Sequence, residues 1–176
     1  GGGMFNNDSS PQVSNCVFQG NSANYSGGGI WSIGGSLTLS GCTIAQNSSI
    51  QGGGVEVSER SFLSADNCVF SANRAAEDGG AIRGQTEMSL TGCVFTDNSA
   101  GKSGGGAYAF YTPALTVVNC VFARNTANYV GGLLAGGASA NAEIVNCLFA
   151  GNTASTSDGG LYGYCTVTNC IVWGNA

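Results

Sequence analysis

The stretch Asn67-Cys68-Val69-Phe70-Ser71-Ala72-Asn73, followed by Gly79-Gly80-Ala81-Ile82, recurs along almost the whole chain. Its Cys-x-Phe-x-x-Asn half returns from Cys16 to Asn21, Cys93 to Asn98, Cys120 to Asn125 and Cys147 to Asn152, with weaker copies from Cys42 to Asn47 and Cys170 to Asn175. Its glycine half returns at Gly1, Gly27, Gly52, Gly104, Gly131 and Gly159, each leading to an apolar residue. Successive repeat cysteines lie 26, 26, 25, 27, 27 and 23 positions apart. Self-similarity at such a period means a solenoid whose units bury a core only by stacking on one another.

The periodicity inside each repeat selects strands. Leu37-x-Leu39, Met88-x-Leu90, Leu115-x-Val117 and Cys93-x-Phe95 each set two apolar residues on one face, as a strand does. A helical solenoid would not tolerate 30 glycines, since each costs roughly 1 kcal/mol against alanine inside a helix. The apolar residues after the glycines are Met4, Ile30, Val55, Ile82, Ala107, Leu134 and Tyr162. About three short strands per coil are therefore expected.

Two further columns define the corners. The residue before each repeat cysteine is only Asn or Gly: Asn15, Gly41, Asn67, Gly92, Asn119, Asn146 and Asn169. These residue types accept a left-handed backbone, which lets one strand stop and the next begin with both facing inward. The residue closing each copy is Asn21, Asn47, Asn73, Asn98, Asn125, Asn152 or Asn175, without exception. Coils stacked at about 4.8 Å would link these amides into a hydrogen-bonded ladder. Two positions on, Ala23, Ser49, Ala75, Ala100, Ala127 and Ala154 suit a tight corner. The expected fold is an all-β, right-handed, single-stranded parallel β-helix of about six full coils plus a partial one, forming one domain over residues 1–176.

Gly79-Gly80-Ala81-Ile82 together with Phe70-Ser71-Ala72-Asn73 resembles the GGAI and FxxN repeats of the chlamydial polymorphic outer membrane proteins. The resemblance extends over essentially the whole chain. It implies the β-helical passenger of an autotransporter adhesin at a bacterial surface, without the translocating barrel.

Composition narrows the function. A net charge of −5 with only 5 Lys+Arg argues against nucleic acid and anionic membranes as partners. No apolar run approaches the roughly 18–20 residues of a membrane span. The chain lacks an initiator Met and a signal-like start, and reads as a mature or excised piece. Cys16, Cys42, Cys68, Cys93, Cys120, Cys147 and Cys170 share one phase of the repeat, with Cys165 outside it. Parallel stacked cysteines hold their Cβ atoms beyond the ~3.8 Å a disulfide prefers, so a reduced, buried ladder is expected. Cys165 with Cys170 is the pair least expected to stay free. With no His and no Cys-x-x-Cys, neither a metal nor another cofactor is expected.

Polysaccharide-cleaving β-helices need two carboxyls held ~5–9.5 Å apart. The outward position after the glycines stacks as Trp31, Glu56, Arg83 and Tyr108, which offers one carboxylate. Glu59, Glu77 and Asp78 are expected in loops or corners. The column is a candidate surface patch for a glycan or another surface protein, or simply a ladder of neighbours with Arg83 lying over Tyr108. Val17, Thr43, Val69, Val94, Val121, Leu148 and Ile171 form a second outward stripe, apolar and mostly β-branched, either an interaction surface or ordinary strand propensity. The sequons at Asn7 and Asn24 carry little weight in so Asn- and Ser-rich a chain. Gly1-Gly2-Gly3-Met4 and Ile171-Val172-Trp173 match in repeat phase and mark candidate ends for head-to-tail stacking of copies. The expected function is a non-enzymatic, extracellular structural repeat protein assembling into a fibre or surface layer. The alternatives are an adhesin passenger fragment and a fragment of a carbohydrate-active β-helix enzyme.

Overall fold

A computed structural model describes residues 1–137 and 141–176, with the side chain of Glu59 also outside the described residues. Every strand pairing is parallel and joins one coil to the next, and no helix occurs among the described residues. The glycine-led and leucine strands together form a 12-stranded sheet, the Cys–Phe strands a 7-stranded sheet, and the short strands after the ladder asparagines a 5-stranded sheet. The chain is a parallel β-helix.

The left-handed position before each repeat cysteine is present in all seven copies, with φ between 50° and 61° from Asn15 to Asn169. A second left-handed position lies just before each ladder asparagine, at Gly20, Gln46, Ala72, Asp97, Arg124, Gly151 and Gly174, with φ between 53° and 69°. The chain thus turns at both ends of the Cys–Phe strand by the same device.

The interior is built of columns. Phe70, Phe95, Phe122 and Phe149 are buried and stack with centroids 4.7, 4.5 and 5.0 Å apart and planes within 6° of parallel. Leu37, Leu63, Met88 and Leu115 form a buried neighbouring column in register. Burying a side chain of this size contributes about 1.5–3 kcal/mol, so the columns supply the main drive for stacking. Each interior Asn amide, from Asn47 to Asn152, makes four hydrogen bonds. Asn98 Nδ2 donates to Asn125 Oδ1 at 2.9 Å and to Phe70 O at 2.9 Å, while its Oδ1 accepts from Asn73 N at 2.9 Å and Asn73 Nδ2 at 3.0 Å. The Nδ2-to-Oδ1 contacts run unbroken from Asn21 to Asn175.

One glycine per coil is required by close approach rather than by backbone angle. A Cβ on Gly53 would lie 2.4 Å from Gly80 O, and one on Gly80 would lie 2.2 Å from Gly105 O. The following position has more room, and Ala81 occupies it.

The structure corrects the expected strand pattern in two places. In coils two and three the glycine-led and leucine strands merge into Ile30–Ser40 and Val55–Asp66, where two short strands were expected. Gly34 and Gly35 bend the first at positive φ, and the register shifts between Ile33 and Gly35. In the last two coils Leu133 and Leu161 pair in line with Ala107, so Leu134 and Tyr162 lie one step over, in register with Tyr108. Val130 and Asp158 take the place of the first glycine there, which moves the phase by one residue.

Candidate functional site

The post-glycine strand carries an outward column in strict register: Phe5, Trp31, Glu56, Arg83, Tyr108, Leu134 and Tyr162. Only Trp31, Glu56, Arg83 and Tyr108 are legible as a set in the sequence. They do not form an exposed patch, because Glu56 is 2% and Arg83 9% exposed. Each is shielded by its neighbours one coil away. Trp31 flanks Glu56 on one side and Arg83 flanks it on the other, and the Arg83 guanidinium lies 5.7 Å from the Tyr108 ring centroid. Arg83 Nη1 meets Glu56 Oε1 at 2.5 Å, but Glu56 Oε2 and Arg83 Nε are buried without a partner among the described residues. Burial pushes the Glu56 carboxyl up to about 7, outweighing the opposing pull of Arg83.

A second row runs alongside on the corner before the glycines. Backbone bonds link Ile50, Glu77, Lys102 and Tyr129 from coil to coil. Lys102 Nζ pairs with Glu77 Oε1 at 2.8 Å, which lowers the Glu77 carboxyl below its ordinary value. Asp78 is half-buried, and its Oδ1 accepts the Ser103 N–H at 3.1 Å. Burial raises its carboxyl, against Arg83 and Lys102. Beyond this charged middle the two rows turn aromatic. Tyr108, Phe110, Tyr129 and Tyr162 surround Leu134 in a cleft of about 290 Å³ that also includes Asp78, Lys102 and Ser103. The off-phase glycines of coils six and seven hid this cleft from sequence reasoning, as did the origin of Phe110 and Tyr129 in turns.

The remaining candidates fall as follows. All eight cysteines are free. Cys42, Cys68, Cys93, Cys120 and Cys147 are buried, whereas Cys16 is exposed and Cys170 half-buried, because a coil packs on only one side of each. The Cys93 and Cys120 thiols are pushed up to about 12, chiefly by hydrogen bonding to the next thiol in the column. Val17, Thr43, Val69, Val94, Val121, Leu148 and Ile171 pair in register on the outer face of the Cys–Phe sheet, with Val17, Val69 and Ile171 exposed. In the first coil Gly2, Gly3 and Met4 donate backbone N–H groups to the second coil, and in the last coil Ile171, Val172 and Trp173 are exposed. Among the described residues no cluster of three or more His, Cys, Asp or Glu could hold a metal ion.

This geometry defines a parallel β-solenoid with an aromatic cleft on its post-glycine face. The right-handed beta helix region family matches residues 2–176, and the chain belongs to that family. No curated protein and no solved structure matches it. Membership shows the fold, and function has to come from the site.

Proposed function

We propose that this chain is a non-enzymatic, extracellular structural segment, a rigid β-helical rod carried at a cell surface. The observation that carries this is the unbroken ladder, in which the side-chain amides from Asn21 to Asn175 are cross-linked coil by coil. A rod of this kind resists local opening, since each coil's polar groups are paired through its neighbours. Glu56 and Glu77 are tied to Arg83 and Lys102, which favours a structural over an acid–base role for them. The resemblance to the GGAI and FxxN repeats supports a place at a bacterial surface, where an adhesin passenger is the second reading. Val172 continues the Phe column onto the last coil and is 57% exposed, which suits stacking of a further coil, and head-to-tail stacking of copies is included in the proposal.

Incubation with a panel of acidic and neutral polysaccharides tests the non-enzymatic role, with reducing ends and unsaturated products as readouts. No product above a denatured control is expected, and product formation abolished by Glu56→Gln would overturn it. Light scattering and negative-stain microscopy test the stacking. Concentration-dependent rods shortened by Val172→Arg are expected, and a monomer at all concentrations would remove that part of the proposal.

A further inference from the structure

The aromatic cleft is not explained by folding. The core is already filled by the Phe and Leu columns, yet three tyrosines and a phenylalanine gather outside it around Leu134. Tyr108 and Phe110 lie 6.4 Å apart at 44°, and Tyr129 and Tyr162 lie 5.5 Å apart at 72°. Tyr129 and Tyr162 remain 39% and 38% exposed, so ring faces stay open to a ligand. The polar groups are few and grouped on one side. Asp78 has one oxygen held by the Ser103 N–H, and Lys102 is held by Glu77. Further along the groove, Glu56 Oε2 and Arg83 Nε are buried and have no partner among the described residues. Apolar walls with a few convergent polar groups are the usual make-up of a small-molecule site.

The charges and the backbone narrow the ligand class. Arg83 is 9% exposed and held by Glu56, and Lys102 is held by Glu77, which leaves Asp78 as the one of these five outside an ion pair. Phosphates and uronates therefore meet no free cation there, on a chain of net charge −5. A peptide adding as a strand needs an open sheet edge. The Tyr108 strand has none, since it pairs with the Arg83 strand on one side and the Leu134 strand on the other. A wholly apolar ligand would bury the second Asp78 oxygen without a donor. A sugar ring meets each demand, with C–H faces for the aromatic rings and hydroxyls for Asp78, Ser103 and the tyrosine hydroxyls.

We propose that the cleft formed by Tyr108, Phe110, Tyr129, Leu134 and Tyr162 with Asp78 binds an uncharged saccharide. The groove runs along the helix axis, and its rows repeat at the ~4.8 Å coil spacing, so an oligosaccharide lies along it. This goes beyond the scaffold proposal and stands whether or not copies stack.

Titration followed by amide and aromatic NMR tests it, with cello-oligosaccharide and N-acetylchito-oligosaccharide as uncharged probes and oligogalacturonate as the anionic probe. Shifts centred on Tyr108, Tyr129, Leu134 and Tyr162 are expected with at least one uncharged probe and not with the anionic one. Tyr129→Ala and Tyr162→Ala should each weaken Kd about tenfold, equivalent to about 1.4 kcal/mol. Tyr25→Ala, at a tyrosine outside the cleft that is 77% exposed, should leave Kd unchanged, and circular dichroism verifies that each variant is folded. No shift with either uncharged probe would overturn the proposal. So would equal or tighter binding of oligogalacturonate or of a peptide pool, or unchanged Kd in both cleft variants.

Discussion

Truncating Asn98 to alanine removes four side-chain hydrogen bonds from a fully buried position. Two are donated by Nδ2, to Phe70 O and Asn125 Oδ1, and two are accepted by Oδ1, from the backbone and side-chain amides of Asn73. At a net value of about 1 kcal/mol each, the loss is about 4 kcal/mol. The Asn73 N–H, left in the interior without its acceptor, keeps the loss from falling below that figure. Asn21, at the first coil, provides the comparison. It is half-exposed, and its side chain donates a single bond, to Asn47 Oδ1. Asn21→Ala should cost about 1 kcal/mol, a difference of about 3 kcal/mol between two chemically identical changes. Urea unfolding followed by far-ultraviolet circular dichroism reads both, provided the m value is unchanged. Losses within about 1 kcal/mol of each other would refute the claim that ladder bonds set the cost. Asn98→Asp should be at least as damaging near pH 7, because it keeps an acceptor, removes both N–H donors and buries a charge.

Three further outcomes follow from other columns. Glu56 has a folded pKa raised from 4.5 to about 7 by burial, so its contribution to stability is full below pH 4.5 and is lost as pH rises through about 7. At about 1.4 kcal/mol per pH unit the span is about 3 kcal/mol, and melts of Glu56→Gln should lack that slope; an unchanged slope would count against it. Native-state alkylation should modify exposed Cys16 first and leave Cys93 and Cys120 unreacted, because the latter thiols sit near 12. After denaturation without reductant all eight cysteines should react, and three or more disulfides by mass spectrometry would contradict the free-thiol column. Gly80→Ala should prevent normal stacking, since its Cβ would lie 2.2 Å from Gly105 O, whereas Gly20→Ala meets nothing within 4 Å and should cost only the roughly 1 kcal/mol of a left-handed alanine; equal melting temperatures would refute the distinction.

Features fixed by backbone chemistry were legible in the sequence. Asn15, Asn67 and their counterparts could be assigned positive φ because only Asn and Gly occupy that position. The ladder was legible because no copy replaces its Asn. The matching left-handed position at Gln46, Ala72, Asp97 and Arg124 was not, because its outward side chains vary freely and the strain is borne by the stacked coil. The burial of Glu56 and Arg83 was hidden for a related reason. Sequence alternation marks them as outward, but an outward side chain in a solenoid is covered by those of the coils above and below. The cleft stayed hidden because Val130 and Asp158 displace the glycine register by one residue, which moves Leu134 and Tyr162 from the core column to the outer one.

Native-state hydrogen exchange tests the rigid rod most directly. The backbone amides of Asn73, Asn98 and Asn125 donate to the side-chain oxygen of the next ladder asparagine, at 2.9, 3.1 and 3.0 Å. In a rod locked by its ladder these amides should exchange only through global unfolding, with one shared free energy. Exchange of Asn98 as fast as that of the edge residue Asn21, or through separate local openings of single coils, would contradict the account.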